Sequence, residues 1–193
     1  MTHSIYLVLD MENDLIHADG PNGKAAYGEQ VRGRRIIENT REALRKARAA
    51  GLHIGFVRVG FSPDYRECPP NSPIFSGARK NGIFKLGSWG AEVHPDLGMQ
   101  AGDFDIVKHR VSPFYSTSLE AILRANDIKR IYCSGISTNA VVQATVRDGH
   151  DRDYEMVVLE DCCCALSAEE HELAITSIKR FCRLTTAAEA TFE

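Results

Sequence analysis

The chain has 193 residues, 44% of them hydrophobic and 25% charged, with a formal net charge of −3. That length suits one compact α/β domain over residues 1–193. The mild acidity argues against a nucleic acid or an anionic membrane surface as partner, and no run of about 18 apolar residues offers a membrane span. The N-terminus, MTHSIYLVLD, enters strand-like sequence without the basic region or cleavage site of a secretory leader. A cytoplasmic location is the resulting expectation. Cysteines 68, 133, 162, 163, 164 and 182 then read as free thiols. Three adjacent cysteines also lack the paired spacing of a zinc site, so neither a metal nor a cofactor is expected.

In chain order, SIYLVLD (4–10) is almost continuously apolar, as a strand buried on both faces is. The basic cluster RGRR (32–35) reads as the solvated start of a helix, because acidic residues follow it. Over 34–50, Ile36, Ile37, Thr40, Leu44 and Ala47 recur at helical spacing, and Gly51 is placed to stop the helix. HIGFVRVG (53–60) is the second strand. Residues 61–90, rich in Pro, Gly, Asn and Ser, read as a long loop of the kind that forms lids or binding loops.

DFDIVKH (103–109) is the third strand, and SLEAILRAN (118–126) is a short helix with Leu119, Ile122 and Leu123 on one face. KRIYCSG (129–135) is the fourth strand, TNAVVQATVRDG (138–149) a helix, and YEMVVLED (154–161) the fifth strand. SAEEHELAITSIKRF (167–181) opens with a capping box, Ser167 and Glu170, and is predicted to bury Leu173, Ile178 and Phe181. A short last strand is expected at 183–186.

Strands alternating with helices predict a three-layer αβα fold, a mostly parallel six-stranded Rossmann-like sheet joined by right-handed crossovers. Ligands in such sheets bind beyond the carboxyl ends of the strands. Asp10, Lys108 and the 135–141 turn all fall there. Each alone has an ordinary structural explanation. Together they bring a carboxylate, an ammonium and the unpaired N–H groups of a first helical turn to one edge.

Three blocks carry a resemblance to a known family: LVLDMENDLI (7–16), DFDIVKHRVSPFYSTSLEAIL (103–123) and SGISTNAVVQATVRDGHDRDYEMVVLEDC (134–162). They resemble the isochorismatase-like hydrolases, also called the cysteine hydrolase superfamily, over nearly the whole chain. The resemblance implies an Asp, Lys and Cys triad, with Asp10 and Lys108 in the first two roles. It further implies a non-proline cis peptide between Ile136 and Ser137, an oxyanion hole made by the N–H groups of Ser137 and Val141, and a homodimer or homotetramer. It puts Val141 at the position of the nucleophilic cysteine. Valine has neither a proton to give nor a lone pair to attack with. FVRVGFSPDY (56–65) likewise lacks the Asp-x-His metal site of the family's nicotinamidase branch.

Three readings of the function remain open. The isochorismatases proper keep the aspartate and lysine without the cysteine and hydrolyse a vinyl ether with no covalent intermediate. A positioned acid supplies about 10²–10⁴ in rate, and an oxyanion donor about 10²–10³ more. That is ample for an activated C–O or C–N bond that needs only protonation before water adds, and thin for an amide. The leading expectation is therefore a small-molecule hydrolase using Asp10, Lys108 and water. The second is an amidase or ureidase whose nucleophile is lost at Val141, and the third a non-catalytic ligand-binding homologue. Asn13, Asn71, Trp89, Phe114 and Tyr115 are candidate substrate contacts. Arg58, Arg66, Arg79 and Arg110 are possible donors to an anionic substrate, although they form no evident cluster. Cys162, Cys163 and Cys164 read as small buried residues rather than relocated nucleophiles.

Overall fold

Strand β1 (Ser4–Leu9) dictates the layering, because all six of its residues are buried. Ile5, Leu7 and Leu9 enter one hydrophobic cluster, and Tyr6 and Val8 enter another. A strand that buries both faces needs helices above and below it. The computed structural model describes residues 3–25 and 27–193. Around β1 it sets β2 (His53–Val59), β3 (Phe104–Lys108), β4 (Arg130–Gly135), β5 (Glu155–Leu159) and β6 (Arg183–Thr185). All neighbours are parallel, in the order β3-β2-β1-β4-β5-β6.

The helices are α1 (Asn13–Ile16), α2 (Pro21–Lys24), α3 (Gly28–Gly33), α4 (Ile36–Ala49), α5 (Ser76–Asn81), α6 (Leu119–Ala125), α7 (Gln143–His150) and α8 (Ala168–Ile178). Val31 of α3 and Ile36, Ala43, Leu44 and Ala47 of α4 cover the Tyr6 face. Leu119 and Leu123 of α6, Val146 of α7 and Ile178 of α8 cover the opposite face. Helix α4 ends as its sequence predicts. Gly51 has φ +77, its N–H donates to Arg48 O (3.0 Å), and Leu52 N–H donates to Ala47 O (3.0 Å). At α8, Ser167 Oγ accepts from Glu170 N–H at 3.1 Å, which caps the first turn.

Three expectations are corrected. Leu173 is 65% exposed, and His171, Ala174 and Ile178 form the buried stripe of α8 instead. Counting apolar residue types passed over a histidine at the right helical phase. Phe181 lies beyond the helix, half-buried under the Arg147 guanidinium. Arg34 is not part of a solvated helix start. It sits at the break between α3 and α4, where its guanidinium donates to Cys163 O, Glu160 and His171. Within the 61–90 segment, read as a long loop, α5 forms and Phe61, Tyr65, Phe75, Ala78 and Phe84 are buried against the Tyr6 face.

The chain builds β1, β2 and β3 outward in one direction and then returns to lay β4 on the other side of β1. This reversal opens a crevice between the carboxyl ends of β1 and β4, where open α/β sheets bind ligands. Gly135 closes β4 there, with φ +154, and a Cβ on it would fall 2.1 Å from Leu9 O. Gly135→Ala is expected to cost about 2–4 kcal/mol of stability, because the obstruction is backbone that cannot rotate aside. The check is a lowered urea midpoint at unchanged slope.

Candidate active site

Asp10 is the first residue past β1. It adopts a left-handed conformation (φ 51) while its N–H extends the ladder to Val57 O at 2.7 Å. Lys108 ends β3, two strands away, in register with Val59. Its stem reaches past the end of β2, and Nζ donates to Asp10 Oδ2 at 2.8 Å and to Arg110 O at 3.1 Å. Both side chains are buried, and Asp10 Oδ1 has no hydrogen-bond partner among the described residues. Burial pushes the Asp10 carboxyl above the usual carboxylate range, against the pull of the Lys108 ammonium.

A second carboxyl stands behind the pair. Glu12 is fully buried; its Oε1 accepts Val59 N–H at 3.3 Å, and its Oε2 has no partner. Burial, and then the negative charge of Asp10, push Glu12 well above its ordinary pKa. Glu12 therefore holds its proton at pH values where an exposed glutamate has lost it.

Opposite Asp10, the peptide between Ile136 and Ser137 is cis, and residues Thr138–Val142 form one wide π-helical turn leading into α7. The chain on either side is pinned by Ile136 N–H donating to Leu9 O (3.1 Å) and Thr138 N–H donating to Cys164 O (2.9 Å). Thr138 Oγ1 also meets His171 Nδ1 at 2.8 Å, and Arg34 donates to His171 Nε2 at 3.0 Å. Burial and the Arg34 charge push His171 below its ordinary pKa, which favours the neutral ring as acceptor for Arg34. The turn is thus braced from α8 and from the α3–α4 break.

Asp10, Lys108, Ser137 and Val141 all line one cavity of about 180 Å³. Its other walls come from the 61–90 segment, already read as a binding loop, and from residues the sequence did not single out. Asn22 and Tyr27 enter from the short helices after β1; Ile74, Phe75, Ile83 and Phe84 come from the 61–90 segment, and Leu15 and Val111 complete the wall. Burial raises the Tyr27 hydroxyl pKa, and a hydrogen bond with the Ser137 side chain opposes that rise. No spacing rule pointed to Tyr27, because it stands outside every motif.

The five candidate substrate contacts do not line this cavity. Asn13 is buried, with Nδ2 donating to Trp89 O at 2.8 Å. Trp89 is half exposed and packs on His17. Asn71 is exposed. Phe114 is buried in the cluster on the opposite face, between Tyr154 and the Arg152 guanidinium. Tyr115 rims a separate depression with Arg66 and Arg110. The cysteines also stay apart from the cavity. Cys162, Cys163 and Cys164 are fully buried, and burial pushes their thiols up, that of Cys164 to about 12.

Residues 4–189 match the family model described as the isochorismatase domain. A ureidoacrylate amidohydrolase, RutB, from Methylorubrum extorquens is 33% identical over 170 residues, covering 82% of this chain and 68% of that protein. The Yersinia enterocolitica protein of the same name is 35% identical, covering 82% of this chain and 74% of its own. Among solved structures, N-carbamoylsarcosine amidase from Thermoplasma acidophilum superposes with TM-score 0.77 at 26% identity, covering 97% of this chain and 98% of that one. A cysteine hydrolase from Pseudomonas syringae superposes with TM-score 0.85 at 24% identity, covering 97% of this chain and 90% of that one, a likeness of fold.

The buried Glu12 carboxyl predicts a pH dependence of stability. Its raised folded-state pKa stabilises the native state fully below the unfolded value, and that contribution is lost as pH rises through the folded one. Glu12→Gln mimics the protonated side chain at every pH. The variant is expected to match the parent near pH 4 and to exceed it by about 1–3 kcal/mol near pH 9. Urea titrations at both pH values check the sign.

Proposed function

This chain belongs to the isochorismatase family of hydrolases, and on that premise we propose that it hydrolyses a small molecule through Asp10, Lys108 and water, with no covalent intermediate at position 141. The bond cleaved is an activated C–O or C–N bond. One observation carries the reading: the buried Asp10 carboxyl group and the Lys108 amine meet at 2.8 Å, and Asp10, whose Oδ1 has no partner among the described residues, shares a cavity with Val141. The raised pKa of Asp10 suits a group that holds a proton and delivers it.

In the proposed reaction Asp10 protonates the substrate, and Lys108 stabilises the carboxylate that remains. Water adds to the activated centre, and its surplus proton returns to Asp10. The N–H groups of Ser137 and Val141 hold the oxygen on which charge develops. The six cysteines are all unpaired, which supports a cytoplasmic location. Exposed Leu166 and Leu173 are apolar surface that a homo-oligomer would cover.

The relatives named as ureidoacrylate amidohydrolase and N-carbamoylsarcosine amidase favour a second reading, cleavage of a C–N bond of the amide or ureide class. The site supports this less well, since valine stands where the family resemblance puts the thiol. Assays on a panel of enol ethers, imines, ureas and amides separate the two. Asp10→Asn is expected to lower kcat/KM by about 10²–10⁴, and Lys108→Met to lower it similarly, while Val141→Ala stays within about tenfold of the parent. Unchanged turnover in Asp10→Asn sinks the proposal. A Val141→Cys variant that gains amidase activity and accumulates a covalent adduct by mass spectrometry favours the second reading.

A further inference from the structure

We infer that the cavity selects an uncharged substrate with an apolar body, such as a neutral amide, urea or enol ether, and rejects carboxylates. This rests on the hydrolase reading and narrows its substrate class.

The first support is the balance of charge in the cavity. Among the described residues its ionisable acid and base, apart from the phenol of Tyr27, are Asp10 and Lys108, and these pair with each other. Lys108 Nζ spends two of its three N–H groups on Asp10 Oδ2 and Arg110 O. The charge of the ammonium is already offset by Asp10, so an incoming anion meets no net positive side-chain charge there and lies beside a carboxyl oxygen. Polar recognition comes from Asn22, Tyr27 and Ser137, all neutral groups suited to a carbonyl, an N–H or a hydroxyl. The rest of the wall is aliphatic or aromatic, including Phe75 and Phe84.

The second support is the fate of the four arginines that would have served an anion. Arg58 is clamped by Asp105 and donates to Ala91 O. Arg66 is paired with Asp64. Arg79 donates to Asp64 O and Tyr65 O. Arg110 donates to Glu67 O and His109 O. None of the four lines the cavity. In the proposed reaction the N–H groups of Ser137 and Val141 serve the reacting oxygen, so a carboxylate elsewhere on the substrate meets an apolar wall without a charged partner, which is costly and needs no dedicated repulsive residue. The mouth points the same way, because Ile74 lines the cavity and is 57% exposed, apolar surface that a neutral ligand would cover.

The test is a matched pair of probes, benzamide and benzoate, titrated at pH 7.5 against the full chain with binding read by NMR shifts. Benzamide is expected to bind at least about tenfold tighter. Ile74→Lys, at an exposed position that tolerates charge, is expected to narrow that gap by roughly threefold or more by adding a cation at the mouth. Equal or tighter binding of benzoate by the parent overturns the inference, as does saturable binding of neither probe. If benzoate wins while Asp10→Asn still abolishes turnover, the substrate class falls and the hydrolase reading stands. If Asp10→Asn retains turnover, the hydrolase reading falls with it.

Discussion

An ammonium and a carboxylate buried together are the constraint on which this structure turns. Removing each ion from water costs several kcal/mol. Opposite charges about 4 Å apart, at an effective dielectric near 20, attract by only about 4 kcal/mol. Such a pair persists where the surrounding backbone leaves it no alternative. Here β1 and β3 end at Asp10 and Lys108 with β2 between them, and Gly60 N–H bonds to Lys108 O to hold the lysine's own backbone. The sheet register therefore fixes the pair, and the pair in turn requires the register. Asp10 Oδ1, without a partner among the described residues, and the buried Glu12, whose pKa burial pushes up, are further costs accepted at the same place.

The turn opposite the pair shows what an attacking side chain contributes and what it does not. Val141 lines the cavity at the position where the family resemblance puts a nucleophilic cysteine. The main chain still runs through a cis peptide into a wide turn, pinned by Leu9 and Cys164 on its backbone and by His171 on Thr138. Donation from backbone N–H groups depends on that path and not on the side chain at 141. In the proposed reaction, polarisation of the substrate and nucleophilic attack are therefore separable.

The walls around the pair come from two regions of little regular structure. The short helices after β1 supply Leu15, Asn22 and Tyr27, and the packed 61–90 segment supplies Ile74, Phe75, Ile83 and Phe84. The same segment buries Phe61 and Tyr65 in the core. It is therefore wall and core at once, which ties the shape of the cavity to the stability of the fold.

The sequence alone determined the layered sheet, since a strand as apolar as SIYLVL cannot leave either face in water. It also placed Asp10, Lys108, Ser137 and Val141 at one edge, because all four sit where strands end and a motif marks them. It determined the ends of α4 and α8 through Gly51 and Ser167, whose chemistry is local. Tertiary structure decided what depends on residues far apart in the chain. It drew Tyr27 and Phe84 into the cavity, took Phe114 to the far side of the sheet, buried His171 in place of Leu173, and left Arg34 inside a network instead of in solvent. Those outcomes follow from which side of a turn a side chain leaves and which distant surface it then meets. Neither quantity is written in spacing or residue type, whereas the alternation that builds the sheet is.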